Sequence, residues 1–140
     1  MGIAYGNYSG LSVAVLVGRL GDEDIEYLFR QFAADPDWAR GGRILTDATQ
    51  LDERMSDERI VRGAETFRAH LAGRAAAAKW AIVADRSFEE ATKFSENVQD
   101  EAPRLIVFAE LAAACAWLGD DLAVVLPTVE RLRAEAARAN

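Results

Sequence analysis

A chain of 140 residues with about half of them apolar is long enough to bury about 68–70% of its unfolded surface as one domain, without a disulfide or metal staple. Its formal charge of −7 excludes two large classes of partner. Nucleic acid and anionic lipid surfaces both demand clustered Lys and Arg, and an acid excess repels them.

In chain order, IAYGNY (3–8) reads as a short strand that turns at Ser9 and Gly10 onto LSVAVLV (11–17), which is apolar and β-branched. Alternation is blurred over 11–17, so this strand is covered on both faces. GDEDIEYLFRQFAADPDW (21–38) reads as a helix. Ile25, Leu28, Phe29 and Phe32 recur at helical spacing, Asp22, Glu23 and Asp24 fill the first turn, and Pro36 stops it. RILTDA (43–48) is a short strand, and SDERIVRGAETFRAHL (56–71) a second helix with Ile60, Ala64, Phe67 and Leu71 as its stripe, widened by Val61. KWAIVAD (79–85) is the next strand. SFEEATKFSENVQDEA (87–102) is a helix with Phe88, Ala91 and Phe94 inward. PRLIVFA (103–109) is the last strand, and ELAAACAWL (110–118) a helix closed by Gly119. The last helix starts at Pro127, a position at which proline suits a first turn, and carries Val129, Leu132 and Ala136 on one face.

Apolar strands alternating with amphipathic helices predict an α/β fold, a mixed and mostly parallel sheet of four or five strands with helices on both faces. The whole chain, 1–140, is one domain, with 120–140 as a C-terminal helical extension. The thin stripe of that extension suits packing on its own domain or pairing in a dimer equally well.

Cys115 is the single cysteine, so no internal disulfide is expected and a reducing cytoplasm is the expected home. The first dozen residues lack the basic region of a signal peptide, and the apolar runs are too short or too interrupted to span a bilayer.

Ligands of open α/β sheets bind outside the carboxyl ends of strands. Two strands are read as ending on aspartates, Asp47 and Asp85, and the loops beyond them supply Thr49, Arg86 and Ser87. On neighbouring strands these five would share a rim, where two carboxylates can hold a hard metal or act as acid and base. The simpler reading is that Asp47 opens a polar turn and that Asp85 or Ser87 caps a helix, which accounts for them without a ligand. His70 has no second His or Cys placed to make a metal site with it, and Cys115 has no neighbouring base, so neither is expected to act chemically. No P-loop, GxGxxG, GxSxG or HExxH stands in the chain. No catalytic residue, metal or cofactor is therefore expected.

Three stretches carry a family resemblance: DPDWARGGRILTDATQL, a helix end, a Pro turn and a strand with an aspartate; AKWAIVADRSFEEATKF, a strand, a loop and a helix; and RLIVFAELAAACAWLG, a strand running into a helix that ends Trp-Leu-Gly. Together they span roughly residues 11–119, and their order resembles the SpoIIAA-like group: the STAS domains of anti-sigma-factor antagonists and, more distantly, the CRAL-TRIO (Sec14-type) lipid-binding domains. The chain looks most like the small stand-alone bacterial STAS/Sec14-like proteins, and its Ala- and Arg-rich usage suggests a high-GC bacterium. The resemblance implies a non-enzymatic interaction module whose partner is another protein or a second copy of itself. Its CRAL-TRIO side implies an alternative, the binding of a small apolar ligand such as a lipid or metabolite.

The resemblance also singles out Ser56. In phosphorylated anti-sigma-factor antagonists the switch hydroxyl starts the helix after this same strand, and Ser56 is the closest match by position. The family run is Asp-Ser-Ser-Gly-like, whereas ERMSDER lacks the second hydroxyl and the glycine. Asp52, Glu53, Asp57 and Glu58 crowd the spot, offset by Arg54 and Arg59, so like charges oppose a phosphate there. Ser before Asp-Glu is in any case an ordinary helix start, and the cap is the expected role.

Overall fold

The computed structural model describes residues 2–52 and 54–139. Strand β1 (Ile3–Tyr8) pairs antiparallel with β2 (Leu11–Gly18). The two-residue turn between them puts Ser9 at φ 48° and Gly10 at φ 82°, the left-handed backbone that matches the twist of a tight hairpin. From β2 onward the chain repeats a strand–helix unit. Helix α1 (Asp22–Ala34) and the short α2 (Pro36–Ala39) lead to β3 (Arg43–Leu51), α3 (Asp57–Leu71) to β4 (Lys79–Val83), and α4 (Phe88–Asn97) to β5 (Leu105–Phe108). Helices α5 (Leu111–Leu118) and α6 (Leu122–Ala139) close the chain.

The five strands lie in sequence order, β1-β2-β3-β4-β5, and every pair after the hairpin is parallel. Parallel crossovers are right-handed, so strands laid down in one direction send all their crossover helices to the same face. Two separate cores result. On the crossover face, Leu28, Phe29 and Phe32 of α1 and Ala64, Phe67 and Leu71 of α3 pack on Ile44, Trp80 and Ile82. On the opposite face α5 and α6 bring Cys115, Leu118, Val125, Val129 and Leu132 onto Leu11, Val13, Val15, Leu45 and Val83. Thus β2 is covered on both faces, as its continuous apolar run requires.

The first core is mostly aromatic. Trp38, Trp80, Phe32 and Phe67 are all but fully buried, and burial of one such side chain is worth about 1.5–3 kcal/mol. Trp38 and Trp80 meet nearly edge to face, with centroids 4.9 Å apart.

A polar network ties the hairpin to the α1–α2 junction. Asp35 Oδ2 accepts from Tyr5 Oη (2.6 Å) and Ser12 Oγ (2.5 Å), and Asp35 Oδ1 takes the Asp37 N–H as an N-cap (2.9 Å). Burial pushes the Asp35 carboxyl up, but the hydrogen bonds from Ser12, Tyr5, the Asp37 amide and Asn7 outweigh it and hold it below the usual carboxylate range. Burial, then the Asp35 carboxylate, drives the Tyr5 phenol far above its ordinary value.

Four features differ from the sequence-based expectation. Pro36 ends α1 but opens α2, because the Asp35 carboxylate caps that turn and proline fits its first position. Strand β3 does not stop at Ala48 but runs to Leu51. In α4, Phe88 is turned out at 39% exposure while Glu90 is turned in. Helix α6 starts five residues before Pro127, at Leu122. The Asp121 side chain and carbonyl take the first amides, from Ala123, Val124 and Val125, and Pro127 lies inside the helix. The C-terminal segment 120–140 gives Val125, Val129, Leu132 and Ala136 to the second core and packs on β1 and β2.

Candidate functional site

The five residues expected to share a rim are distributed over both faces of the sheet. Their strands β3 and β4 are neighbours, with Asp47 beside Val83. Yet side chains alternate along a strand, and Asp47 falls with Leu45 on the α6 face. It is fully buried and has its hydrogen bonds there. Arg133 Nε of α6 donates to Oδ2 at 2.6 Å, and Oδ1 takes the Thr49 hydroxyl at 2.7 Å and the Thr49 amide at 3.2 Å. The β2–β3 register slips just there, between Val15 and Val17, and this irregularity brings the Thr49 amide onto the Asp47 carboxylate. Arg133 also reaches Thr49 Oγ1 at 3.4 Å.

Asp85 and Arg86 are exposed beyond β4. Ser87 is buried on the crossover face, at the N-cap position of α4 but without a side-chain cap bond. Its hydroxyl donates instead to the Ala48 carbonyl, at 3.4 Å.

Ser56 is the N-cap of α3. Its Oγ accepts from the Arg59 amide at 3.2 Å, and its carbonyl takes the Ile60 amide at 3.0 Å. Asp57 projects into solvent and meets Lys93 of α4 at 3.0 Å, which raises the Lys93 pKa. Glu53 lies outside the described residues. His70 Nε2 sits 2.8 Å from Glu26 Oε1, joining α3 to α1, and the Cys115 thiol is pushed up by burial and then by Asp120 and Asp121. Among the described residues no group of His, Cys, Asp and Glu is placed to hold a metal ion.

A cavity of about 300 Å³ lies between the sheet and the first halves of α1, α3 and α4, toward the carboxyl ends of β2, β3 and β4. That is the lower end of the size range of small-molecule sites. Leu16, Ile25, Phe29, Met55, Ile60 and Ile82 supply much of its wall. Of the five rim residues, only Ser87 lines it. Deep in the wall, at 2–9% exposure, stand three polar side chains: Thr46, Ser87 and Glu90. Thr46 Oγ1 accepts from Trp80 Nε1 at 2.9 Å. Glu90 Oε1 is 3.8 Å from Arg54 Nε, and Glu90 Oε2 is buried with no partner among the described residues.

Glu90 was not identified from the sequence. The available signal was its spacing: it stands four residues before Phe94 and three after Ser87, on the face of α4 that faces the sheet.

The fold is similar to that of a solved structure, an anti-sigma factor antagonist from Mycobacterium paratuberculosis. The match covers 84% of this chain and 93% of that one, with a TM-score of 0.54 and 14% identity. The chain has a SpoIIAA-like fold. Its sequence matches no protein-family model and no curated protein. In this fold, α3 is the helix whose start carries Ser56, and no helix among the described residues is long and apolar enough to cross a membrane.

Proposed function

We propose that the chain is a non-enzymatic, STAS-like regulatory module that works in the cytoplasm by binding another protein, a second copy of itself included. The observation that supports this is the fold shared over 84% of the chain with a protein named as an antagonist of an anti-sigma factor, a name that makes its target a protein. The contact surface in this reading is the start of α3 with the loop before it, where Ser56 caps the helix and Asp57 and Glu58 stand exposed.

The test uses a photo-crosslinking amino acid at position 56 and, as control, at the exposed position 8, in cells of the native host. Capture of one protein from position 56 and not from position 8 supports the reading. Equal capture at both positions, or none at 56 from a chain that is monomeric by light scattering, overturns it.

The cavity favours a second reading, a small-ligand binder. An apolar void of about 300 Å³ with a few convergent polar groups is what such sites look like, and its wall includes Met55, next to Ser56. Native mass spectrometry of the freshly purified protein reads out a retained ligand. Gly63 of α3 lines the cavity, and a Cβ built on it meets nothing within 4 Å, so Gly63→Met fills the space. A ligand bound equally by the wild type and this variant would rule the cavity out.

A further inference from the structure

We infer that the cavity selects an amphiphile with an apolar body and a hydrogen-bond-donating head, a hydroxyl or an ammonium, and that Glu90 reads that head. The inference rests on the second reading above and goes beyond it by assigning the chemistry of the ligand.

The argument is an account of donors and acceptors inside the wall. A buried polar atom without a partner is costly, and native structures hold few of them. Glu90 is one: at 9% exposure its Oε2 has no donor among the described residues, and Oε1 lies 3.8 Å from the exposed Arg54. Ser87 stands three residues earlier, at the N-cap of the same helix, and lines the cavity with it. Its proton is directed to the Ala48 carbonyl, so its oxygen lone pairs remain available as acceptors. Thr46, on β3 rather than α4, accepts from Trp80 Nε1 through one lone pair of its hydroxyl. At the α4 side the cavity therefore offers acceptors, and what they lack is a donor.

The same account disfavours an acidic head at the α4 side, since the cations of the lining, Arg59 and Arg62, stand on α3 and bond the Leu20 carbonyl and Asp22. A carboxylate or phosphate placed beside Glu90 meets a like charge in an apolar wall, where repulsion is screened little. The amides at the start of α4 would favour an anion, but Glu89 and Glu90 already supply negative charge in that first turn. The apolar remainder of the ligand lies against Leu16, Ile25, Phe29 and Ile60.

The experiment compares octylamine, octanol and octanoate, equal in chain length and different in head group, by titration calorimetry on the full chain. The variants are Glu90→Gln and Glu90→Leu, each checked for folding by circular dichroism. The expected wild-type order is octylamine tightest, octanol next and octanoate weakest. Glu90→Leu should weaken octylamine about tenfold to a hundredfold, the value of a hydrogen bond to a charged buried group. Glu90→Gln, which keeps the shape and loses the charge, should bring octylamine down to octanol. Octanoate binding as tightly as octylamine, or octylamine binding unchanged in both variants, overturns the assignment to Glu90 while leaving the cavity a ligand site. Failure of all three compounds to bind the wild type overturns the ligand reading itself.

Discussion

Arg133 and Asp47, 86 residues apart in the chain, form a salt bridge at 2.6 Å in which the Asp47 side chain is fully buried and the Arg133 side chain is 30% exposed. The pair fastens α6 to the middle strand of the sheet. Breaking a buried pair from one side costs about 3–5 kcal/mol, because the other charge is left alone. Here Thr49 keeps two hydrogen bonds on Asp47 and Arg133 is partly in water, so Arg133→Met should cost about 2–3 kcal/mol. The double replacement Arg133→Met with Asp47→Leu should recover much of the loss. Urea midpoints at constant slope measure both. An Arg133→Met variant as stable as the wild type would remove α6's ionic attachment from the account.

The Asp35 network predicts pH dependence at both ends of the scale. The folded Asp35 carboxyl is held below its ordinary value, so its contribution is complete above the unfolded pKa, about 3.9, and is lost as pH falls through the folded one. Tyr5 is raised, so its contribution is complete below about 10 and is lost at higher, alkaline pH. Thermal melts across acid pH should show Asp35→Asn less stable than the wild type at neutrality and losing less of its stability toward low pH. Parallel acid limbs in the two proteins would contradict this.

Ser56 as a cap gives a stability test separate from any switch. Ser56→Ala should cost about 1 kcal/mol, the usual value of a lost N-cap. Ser56→Asp should stay within a few tenths, since aspartate caps as well as serine. If Ser56→Asp abolishes binding of the captured partner, read by pull-down, while melting like the wild type, the position carries regulation as well as structure.

Two glycines should respond in opposite directions. A Cβ on Gly42 would sit 2.8 Å from both the Cβ and the carbonyl oxygen of Asp37, where the chain passes from α2 into β3. Gly42→Ala should therefore destabilise by about 1–3 kcal/mol through backbone displacement. Gly63 lies in α3 with open space beside it, so Gly63→Ala should stabilise by about 0.5–1 kcal/mol. Chemical denaturation of the two variants side by side decides both.

What could be read from the sequence was what neighbouring residues decide. The hairpin at Ser9 and Gly10, the Ser56 cap and the stripe Ile60, Ala64, Phe67 and Leu71 all follow from spacing and local chemistry, and each stands in the structure. The misreadings of Pro36 and of the α6 start come from local caps by Asp35 and Asp121, and those of β3 and α4 from packing partners elsewhere in the chain. Asp47 and Thr49 look like turn residues because they are polar, and Arg133 keeps them in a strand. Phe88 looked inward because it is apolar. The rotation of α4 is fixed by Ala91, Phe94 and Val98 against the sheet, and that rotation carries Glu90 inside instead. The cavity itself has no sequence signature, since it is the space three separate helices leave between them.

The strict side-by-side order of the strands has a consequence for how the chain is made. Each strand can join the one before it as it leaves the ribosome, and the crossover helices cover one face along the way. The other face cannot be finished until α6 returns to the first hairpin. Synthesis of those 18 residues takes about 1–4 s at ordinary translation rates, and through that interval Leu11, Val13 and Val15 lie bare on a growing chain. A ribosome stalled before Arg133 would therefore present a sheet with an uncovered apolar side, which a chaperone can recognise and a completed molecule never displays.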